Sequence, residues 1–87
     1  MYKITYSKLV KKDLKKIQKN DLNQIIKKIK SLAIDPFPVG ATILRGEGKM
    51  FRVRQGDYRI IYKIQNQELI VLIVKVGHRS DVYRNMN

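Results

Sequence analysis

The sequence predicts a small α+β domain in which an N-terminal strand and a two-helix hairpin pack on a twisted antiparallel β-sheet. Apolar residues recur at helical spacing through the first third of the chain. Short runs typical of strands, separated by turn dipeptides, fill the second half. A chain of 87 residues with 44% hydrophobic content can fill one hydrophobic core. We therefore expect a single domain over residues 1–87.

The first third of the chain predicts one strand and two helices. Residues 2–6 alternate as a short strand, and the Ser7 hydroxyl can accept from the free amides at the start of a helix. Asn20-Asp21 is expected to end this helix and to cap a second one, which Asp35-Pro36-Phe37-Pro38 terminates. The apolar stripes are Val10, Leu14 and Ile17 in the first helix, and Leu22, Ile25, Ile26, Ile29, Leu32 and Ala33 in the second.

Three strands are expected in the second half, after a loop that reaches Gly46 or Gly48. They cover residues 49–54, 58–65 and 68–76, and they follow one another as an antiparallel meander. The dipeptides that separate them are Gly56-Asp57 and Asn66-Gln67. The third strand is apolar without interruption over residues 69–74, which predicts a central strand buried on both faces.

The Gly56-Asp57 turn predicts which side chains share a face of the sheet. A two-residue turn pairs Gln55 with Tyr58 and, one step further, Arg54 with Arg59. Because side chains alternate, one face then holds Phe51, Val53, Ile60 and Tyr62, and the other holds Arg52, Arg54, Arg59 and Lys63. Directly opposed cations destabilise a sheet by a fraction of ~1 kcal/mol, so this concentration indicates an anionic ligand. The alternative is an ordinary solvent-facing surface.

Charge is the strongest signal in the composition. The net charge is +12, and residues 1–34 contain ten lysines and no arginine, whereas all six arginines lie from Arg45 onward. Lysine at this density is typical of a solvated helix surface, whereas arginine suits oriented, bidentate phosphate contacts. Nucleic acid is the leading partner class, although a ribosome-associated protein, an anionic membrane binder or a DNA binder has the same charge.

Composition also argues against several kinds of site. The absence of cysteine excludes disulfides, thiolate zinc sites and cysteine nucleophiles. One histidine and seven scattered carboxylates show no metal-ligand spacing, so we expect neither a metal nor a cofactor. The N-terminal residues lack the apolar stretch of a signal peptide, and residues 69–74 are too few to span a bilayer. We expect a soluble cytoplasmic protein with no membrane partner.

A second group of reactive side chains lies in Val76-Gly77-His78-Arg79-Ser80-Asp81-Val82-Tyr83. RNA cleavage through the 2′-hydroxyl requires a base for that hydroxyl, charge stabilisation of a phosphorane-like transition state, and an acid for the departing 5′-oxygen. His78 can serve in either proton transfer, because histidine has a reference pKa of about 6.5. A tyrosine such as Tyr83 serves as a base only where nearby cations lower its pKa from about 10. Both residues have structural alternatives, in hydrogen bonding, packing or base stacking.

Three segments resemble the RelE/ParE family of bacterial and archaeal toxins. They are Leu44-Arg45-Gly46, the run from Phe51 to Tyr62, and the ending from Val76 to Tyr83, and the resemblance covers essentially the whole chain. It implies a two-helix hairpin on a twisted antiparallel sheet, and an endoribonuclease that cuts messenger RNA in the ribosomal A site. It also implies a toxin–antitoxin hetero-oligomer, in which an acidic or amphipathic segment of a cognate antitoxin covers the arginines or displaces the C-terminal element.

The resemblance assigns roles to individual positions. Arg52 and Arg54 match the basic pair that contacts RNA phosphates, and Arg59 matches the arginine that holds the scissile phosphate. Arg79 matches the arginine on the leaving-group side, and Tyr83 matches the tyrosine linked to 2′-hydroxyl activation and base stacking. The RNA-binding set is Arg45, Lys49, Arg52 and Arg54, and the catalytic set is Arg59, His78, Arg79 and Tyr83.

One departure from the family pattern affects proton transfer. The basic pair is lysine-rich in well-studied RelE enzymes, and Arg52 and Arg54 stand there in this chain. Arginine does not readily exchange a proton, so that role shifts toward His78 or Tyr83. His78 has no fixed role in those enzymes, although related ribosome-dependent toxins use a histidine near this point. Our working assignment has Tyr83 as base, Arg79 supporting the leaving oxygen, and His78 as alternate acid or base.

Two other functions are consistent with the sequence. The ParE branch of the same fold poisons DNA gyrase by protein contact and lacks the nuclease residues, so Arg59, Arg79 and Tyr83 argue against it. A non-catalytic RNA-binding module predicts salt-dependent RNA affinity without cleavage.

Overall fold

The structure is a computed structural model that describes residues 1–44 and 50–82. Within these residues the chain forms two helices and five strands. They are β1 (Lys3–Tyr6), α1 (Lys8–Lys15), α2 (Lys19–Ser31), β2 (Thr42–Ile43), β3 (Met50–Gln55), β4 (Tyr58–Gln65) and β5 (Ile70–His78). The predicted α+β class is confirmed.

The described strands form one sheet in the order β1-β5-β4-β3-β2. Strands β2 to β5 pair antiparallel in chain order, whereas β1 lies parallel to β5. The predicted antiparallel meander of the second half is confirmed, and the parallel pairing of the first strand makes the sheet mixed. The reason lies in the path of the chain, which leaves β1 through both helices and returns beside it only with β5. The amide of Lys3 donates to the Leu69 carbonyl at 2.7 Å, where this parallel pairing begins.

Strand β5 differs most from its predicted form. It covers Ile70–His78 rather than residues 68–76, because Leu69 has a positive φ of 54° and belongs to the preceding turn. β4 rather than β5 is the central strand. The fully buried residues of β5 are Val71, Ile73 and Val76, whereas Ile70, Leu72 and Val74 are half-buried. The prediction of a central strand buried on both faces is wrong, because the helices cover one face only.

A β-bulge interrupts the pairing of β4 with β5. Residues 61–62 of β4 pair with the two ends of the β5 segment 73–75, so Val74 is an extra residue. The extra residue shifts the alternation of side chains along the rest of β5. Val76 therefore belongs to the core beneath the helices, and His78, two residues later, has the same orientation.

Helix α1 is attached to β5 near both of its ends. Ser7 caps the helix as predicted, since its Oγ accepts from the amide of Val10 at 3.3 Å. The same hydroxyl donates to the carbonyl of the bulged Val74 at 3.2 Å. In the last turns, the Asp13 carboxylate accepts from Nζ of Lys75 at 3.0 Å, and both side chains are largely buried.

The predicted break between the helices lies too late in the sequence. α1 ends at Lys15 and α2 begins at Lys19, so Asn20-Asp21 occupies the first turn of α2 instead of the break. An aspartate is favourable there because the start of a helix carries partial positive charge. Ile17, between the helices, packs against the core. Neither described helix is long and apolar enough to cross a membrane.

The short strand β2 was not predicted. It lies within the expected loop and pairs antiparallel with β3, with Thr42 opposite Arg52 and Ile43 opposite Phe51. Two residues are too few to show an alternating pattern in a sequence. The strand nevertheless extends the sheet edge beside the arginines.

The core lies between the helices and one face of the sheet. The predicted buried residues of β3 and β4 are confirmed, with Phe51 5%, Val53 1%, Ile60 0% and Tyr62 0% exposed. Val10, Ile25, Ile29 and Leu32 meet them from the helical side. The Tyr62 hydroxyl donates to the Pro36 carbonyl at 2.8 Å, which joins the end of the helical hairpin to β4.

Candidate active site

The face of the sheet opposite the helices carries the predicted arginines, and we call it the arginine face. The pairing of β3 with β4 places Arg54 opposite Arg59 and Arg52 opposite Ile61, which confirms the predicted register. These three arginines alternate with the buried residues Phe51, Val53 and Ile60, so they project away from the core. The sheet therefore brings two of the predicted RNA-binding residues, Arg52 and Arg54, and one predicted catalytic residue, Arg59, onto one surface.

Two of these arginines are oriented by hydrogen bonds. Nη2 of Arg52 donates to the hydroxyl of Thr42 on β2 at 3.1 Å. Nη1 of Arg59 donates to the carbonyls of Gly56 and Tyr58, at 3.1 and 3.0 Å. Hydroxyl and carbonyl acceptors fix the direction of a guanidinium without cancelling its charge. The remaining N–H groups of Arg59 can thus be offered to an anion in a fixed direction.

Arg79 reaches the same turn from the end of β5. Its amide donates to the Asp57 carbonyl at 2.7 Å, and its Nε lies 4.0 Å from Oδ1 of Asp57. Both side chains are about two-thirds exposed, and exposed ion pairs contribute only about 0–1 kcal/mol. The backbone contact is the firmer one, and it holds Arg79 at the β3–β4 turn, where Arg59 is also bound.

The segment after β5 folds back over the arginine face. Gly77 pairs with Arg59, and a Cβ added to Gly77 would lie 3.2 Å from the Cα of Val82. Val82 is fully buried, as is Ile61 on the same face, and neither belongs to the main core. The contact fixes the residue that precedes Tyr83 beside the arginines.

His78 lies on the other side of the sheet. Its ring makes an edge contact with Tyr58 at 5.8 Å, and Tyr58 packs against the main core. Both line a groove of about 320 Å³ that continues to Lys16, which follows the last residue of α1. Nδ1 of His78 lies 2.8 Å from the Ser80 hydroxyl, and the amide of Ser80 donates to the same nitrogen at 3.2 Å. The structure thus does not bring His78 onto the arginine face.

The remaining predicted site residues lie outside the described residues, namely Arg45, Lys49 and Tyr83. The structure adds residues that the sequence did not indicate. Thr42 orients Arg52, and the Asp57 carbonyl anchors Arg79. A threonine in a predicted loop and a backbone carbonyl in a turn have no distinguishing sequence pattern.

Comparison with known proteins agrees with the fold. The family model described as ParE toxin of type II toxin-antitoxin system, parDE, matches residues 4–83. This match covers most of the chain, so the protein belongs to the RelE/ParE superfamily of type II toxins. A curated relative, toxin RelG from Mycobacterium tuberculosis, is 30% identical over 84 residues, which are 95% of this chain and 97% of RelG.

Solved structures of similar proteins share the architecture. The RelE–RelB complex from Pyrococcus horikoshii contains a chain that is 28% identical and superposes with a TM-score of 0.80, over 90% of this chain and 94% of that one. The toxin–antitoxin complex RelBE2 from Mycobacterium tuberculosis gives the same identity and TM-score, over 90% of this chain and 98% of that one. Two helices on a mixed five-stranded sheet are thus the arrangement found in RelE toxins.

Proposed function

We propose that the protein is a ribosome-dependent, metal-independent endoribonuclease that cuts messenger RNA in the ribosomal A site. The observation that carries this proposal is the convergence of Arg54, Arg59 and Arg79 at the β3–β4 turn. Arg54 stands opposite Arg59 in the sheet, and backbone carbonyls of the turn hold Arg59 and the main chain of Arg79. A group of oriented cations of this kind suits a transition state that gathers negative charge on one phosphate.

The arginines supply positioning and charge. In the proposed reaction the 2′-oxygen attacks the adjacent phosphorus, the bond from phosphorus to the 5′-oxygen breaks, and a cyclic phosphate and a free 5′-hydroxyl result. Arg59 holds the non-bridging oxygens of the scissile phosphate, and Arg52 and Arg54 bind the RNA phosphates nearby. Arg45 and Lys49 join them as RNA contacts on the basis of the sequence. No metal ion is required, because guanidinium groups stabilise the developing charge.

Two proton transfers complete the reaction. Tyr83 accepts the proton of the 2′-hydroxyl. The contact of Val82 with Gly77, which pairs with Arg59, supports this role because Val82 precedes Tyr83 in the sequence. Arg79 stabilises the negative charge on the departing 5′-oxygen, which takes up a proton from solvent water to give the free 5′-hydroxyl. His78 is the alternate acid or base, and its position on the helix side, with Nδ1 engaged by Ser80, favours Tyr83 for the base.

A cognate antitoxin is the proposed protein partner. The solved RelE chains from Pyrococcus horikoshii and Mycobacterium tuberculosis are each in complex with an antitoxin. A chain of net charge +12 attracts an acidic segment strongly, and covering the arginine face would block RNA. We infer a cytoplasmic toxin–antitoxin hetero-oligomer from these two observations.

Primer extension on a translated message tests the proposal. The assay compares the protein with Arg79→Ala, with Lys30→Ala as a variant that removes an exposed cation elsewhere, and with a reaction that lacks ribosomes. We expect cuts only with ribosomes, loss of the cuts with Arg79→Ala, and retention with Lys30→Ala. A folded protein that arrests growth without cutting any message would overturn the nuclease assignment.

The second candidate is a ParE-like poison of DNA gyrase, which the description of the matching family model favours. This function rests on protein contact and does not require the arginines to meet at one phosphate. It predicts inhibition of gyrase supercoiling by the wild-type protein and by Arg79→Ala alike. Inhibition of supercoiling without ribosome-dependent cuts would select this candidate.

A further inference from the structure

The edge of the sheet next to the arginine face contains a small pocket, and the proposed reaction uses only its two arginines, Arg52 and Arg54. It has a volume of about 290 Å³, and it lies between α2, the loop before β2, and β3. Its polar lining consists of Lys28, Gly40, Thr42, Arg52 and Arg54, and Val39 and Val53 complete the walls. We call it the edge pocket.

The edge pocket concentrates positive charge. Lys28, Arg52 and Arg54 all line it, and none of the described lining residues is acidic. Lys28 also differs from its neighbours on α2, because it is half-buried whereas Lys27 and Lys30 are exposed. Bringing three like charges together is unfavourable unless an anion joins them. If the lysines of α2 formed only a solvated surface, Lys28 would be expected to be as exposed as Lys27 and Lys30.

The pocket is also partly ordered before any ligand binds. Thr42 stands opposite Arg52 in the β2–β3 pair and accepts from its Nη2 at 3.1 Å. This contact fixes one edge of the guanidinium at the mouth of the pocket. A guanidinium held in this way offers directional donors, which match the oxygens of a phosphate.

The position of the pocket relates it to the proposed RNA path. Arg54 lines the pocket and also stands opposite Arg59, which we assign to the scissile phosphate. Two strand spacings separate β2 from β4, roughly 10 Å. We infer that the edge pocket binds a backbone phosphate of the same RNA strand, away from the scissile one, with Lys28 as the principal new contact and Thr42 as a positioning residue for Arg52. This inference rests on the proposed function for the identity of the strand.

Binding of a non-cleavable RNA, without ribosomes, tests the inference separately from cleavage. Fluorescence anisotropy with a 2′-O-methyl oligonucleotide, at several salt concentrations, compares Lys28→Ala with Lys27→Ala, its exposed neighbour. We expect a five- to tenfold weaker affinity for Lys28→Ala, a salt slope lower by about 0.7, and less than a twofold change for Lys27→Ala. Lys28→Arg should retain the slope, because it keeps the charge.

Thr42→Val provides the second arm. It keeps the size and the β-branching of residue 42, so the strand is retained, but it removes the acceptor for Arg52. We expect a two- to threefold weaker affinity with an unchanged salt slope, since no charge is lost. Far-UV circular dichroism and thermal unfolding confirm that each variant is folded.

Three outcomes would overturn the inference. Equal losses of RNA affinity for Lys28→Ala and Lys27→Ala would indicate general charge attraction. Unchanged RNA affinity of Lys28→Ala would show that Lys28 does not contact the RNA. Weaker binding of a decaglutamate peptide to Lys28→Ala, with RNA binding unchanged, would assign the pocket to an acidic protein segment. A Lys28-specific loss of RNA binding in a protein that never cuts messages would leave the edge pocket standing and refute the proposed nuclease.

Discussion

The two faces of the sheet show how one protein uses its surfaces differently. On the helix side, apolar residues of both helices and three strands form the core, and the lysines of the helices are exposed except for Lys28. On the arginine face, Ile61 and Val82 are buried beside charged residues, and the rest of the surface is open to a ligand. The first face stabilises the fold. The second carries the arginines that we propose bind an anion.

The choice of cation follows the same division. Nine of the ten lysines before residue 35 are exposed, and the exception is Lys28. The arginines Arg52 and Arg59 are instead held by a hydroxyl or by main-chain carbonyls. Lysine gives a mobile, solvated charge, whereas arginine gives a planar group that can be aimed. The comparison therefore predicts that cleavage depends on the geometry of the arginines on the sheet, whereas the lysines on the helices contribute only their charge.

Replacing Arg59 by lysine should produce the largest effect. Arg59→Lys keeps the charge but loses the planar fork and its contacts with the turn, so we expect ribosome-dependent cleavage to fall by about two orders of magnitude. The matched control is Lys12→Arg on α1, which should change cleavage by less than twofold. Single-turnover primer extension measures both. Full activity of Arg59→Lys would mean that cleavage needs only a positive charge at residue 59 and not the planar geometry of a guanidinium.

Tyr62 tests the helix side through pH. Burial and the nearby Asp35 carboxylate raise the pKa of Tyr62 to about 12, above the reference value of 10.0. Between these two values the unfolded state loses the proton while the folded state keeps it. The free energy of unfolding should therefore fall as pH rises from about 10 to about 12, by about 1.4 kcal/mol per pH unit, whereas below about pH 10 Tyr62 adds no pH dependence.

The Tyr62→Phe variant isolates this effect from the titration of lysines. We expect it to cost about 1 kcal/mol near neutral pH, because the Pro36 carbonyl loses its donor, and to remove the additional slope above pH 10. Urea unfolding from pH 8 to pH 11.5 gives both curves. Parallel curves for the two proteins would show that Tyr62 ionises equally in the folded and unfolded states.

Gly77→Ala tests the contact between β5 and Val82 in the segment that follows it. The new Cβ would lie 3.2 Å from the Cα of Val82, so Val82 must shift by a few tenths of an ångström, and Tyr83 follows it directly. We expect cleavage to fall about tenfold, a cost of about 1.4 kcal/mol in the barrier. Affinity for a non-cleavable RNA should stay within twofold. A matching loss of RNA affinity would show that the substitution disturbs the arginines rather than the C-terminal segment.

Neutralising exposed lysines should have the smallest effect. In the double variant Lys11→Gln/Lys12→Gln both side chains are solvent-exposed on α1, so stability should change by less than about 0.5 kcal/mol. Cleavage should remain within threefold of the wild type. Thermal unfolding and primer extension measure the two quantities. A tenfold loss of cleavage would show that the helix surface makes specific contacts.

Local rules account for the parts of the structure that the sequence predicted. A two-residue turn and the alternation of side chains determine which residues of β3 and β4 face each other, so the Arg54–Arg59 pair was predictable. The Ser7 cap follows from the needs of free amides at a helix start. In both cases the information lies within a few residues of the feature.

Non-local contacts decided the rest. The parallel pairing of β1 with β5 joins residues more than 60 positions apart, and nothing in either segment identifies the other. The edge pocket needs a residue of α2 beside β2 and β3, which only the packed fold brings together. Thr42 acquires a role because Arg52 lies opposite it.

The bulge in β5 shows most clearly which features the sequence determined and which the tertiary structure decided. By itself the sequence determined that a basic α+β protein of this family would present arginines on one face of a sheet. Simple alternation from Val71 and Ile73 would have placed His78 on that face as well, whereas the extra residue Val74 turns it to the helix side. Only the tertiary structure decided this, because a bulge arises where the pairing of two strands must adjust to the surrounding packing, here to Ser7 and α1.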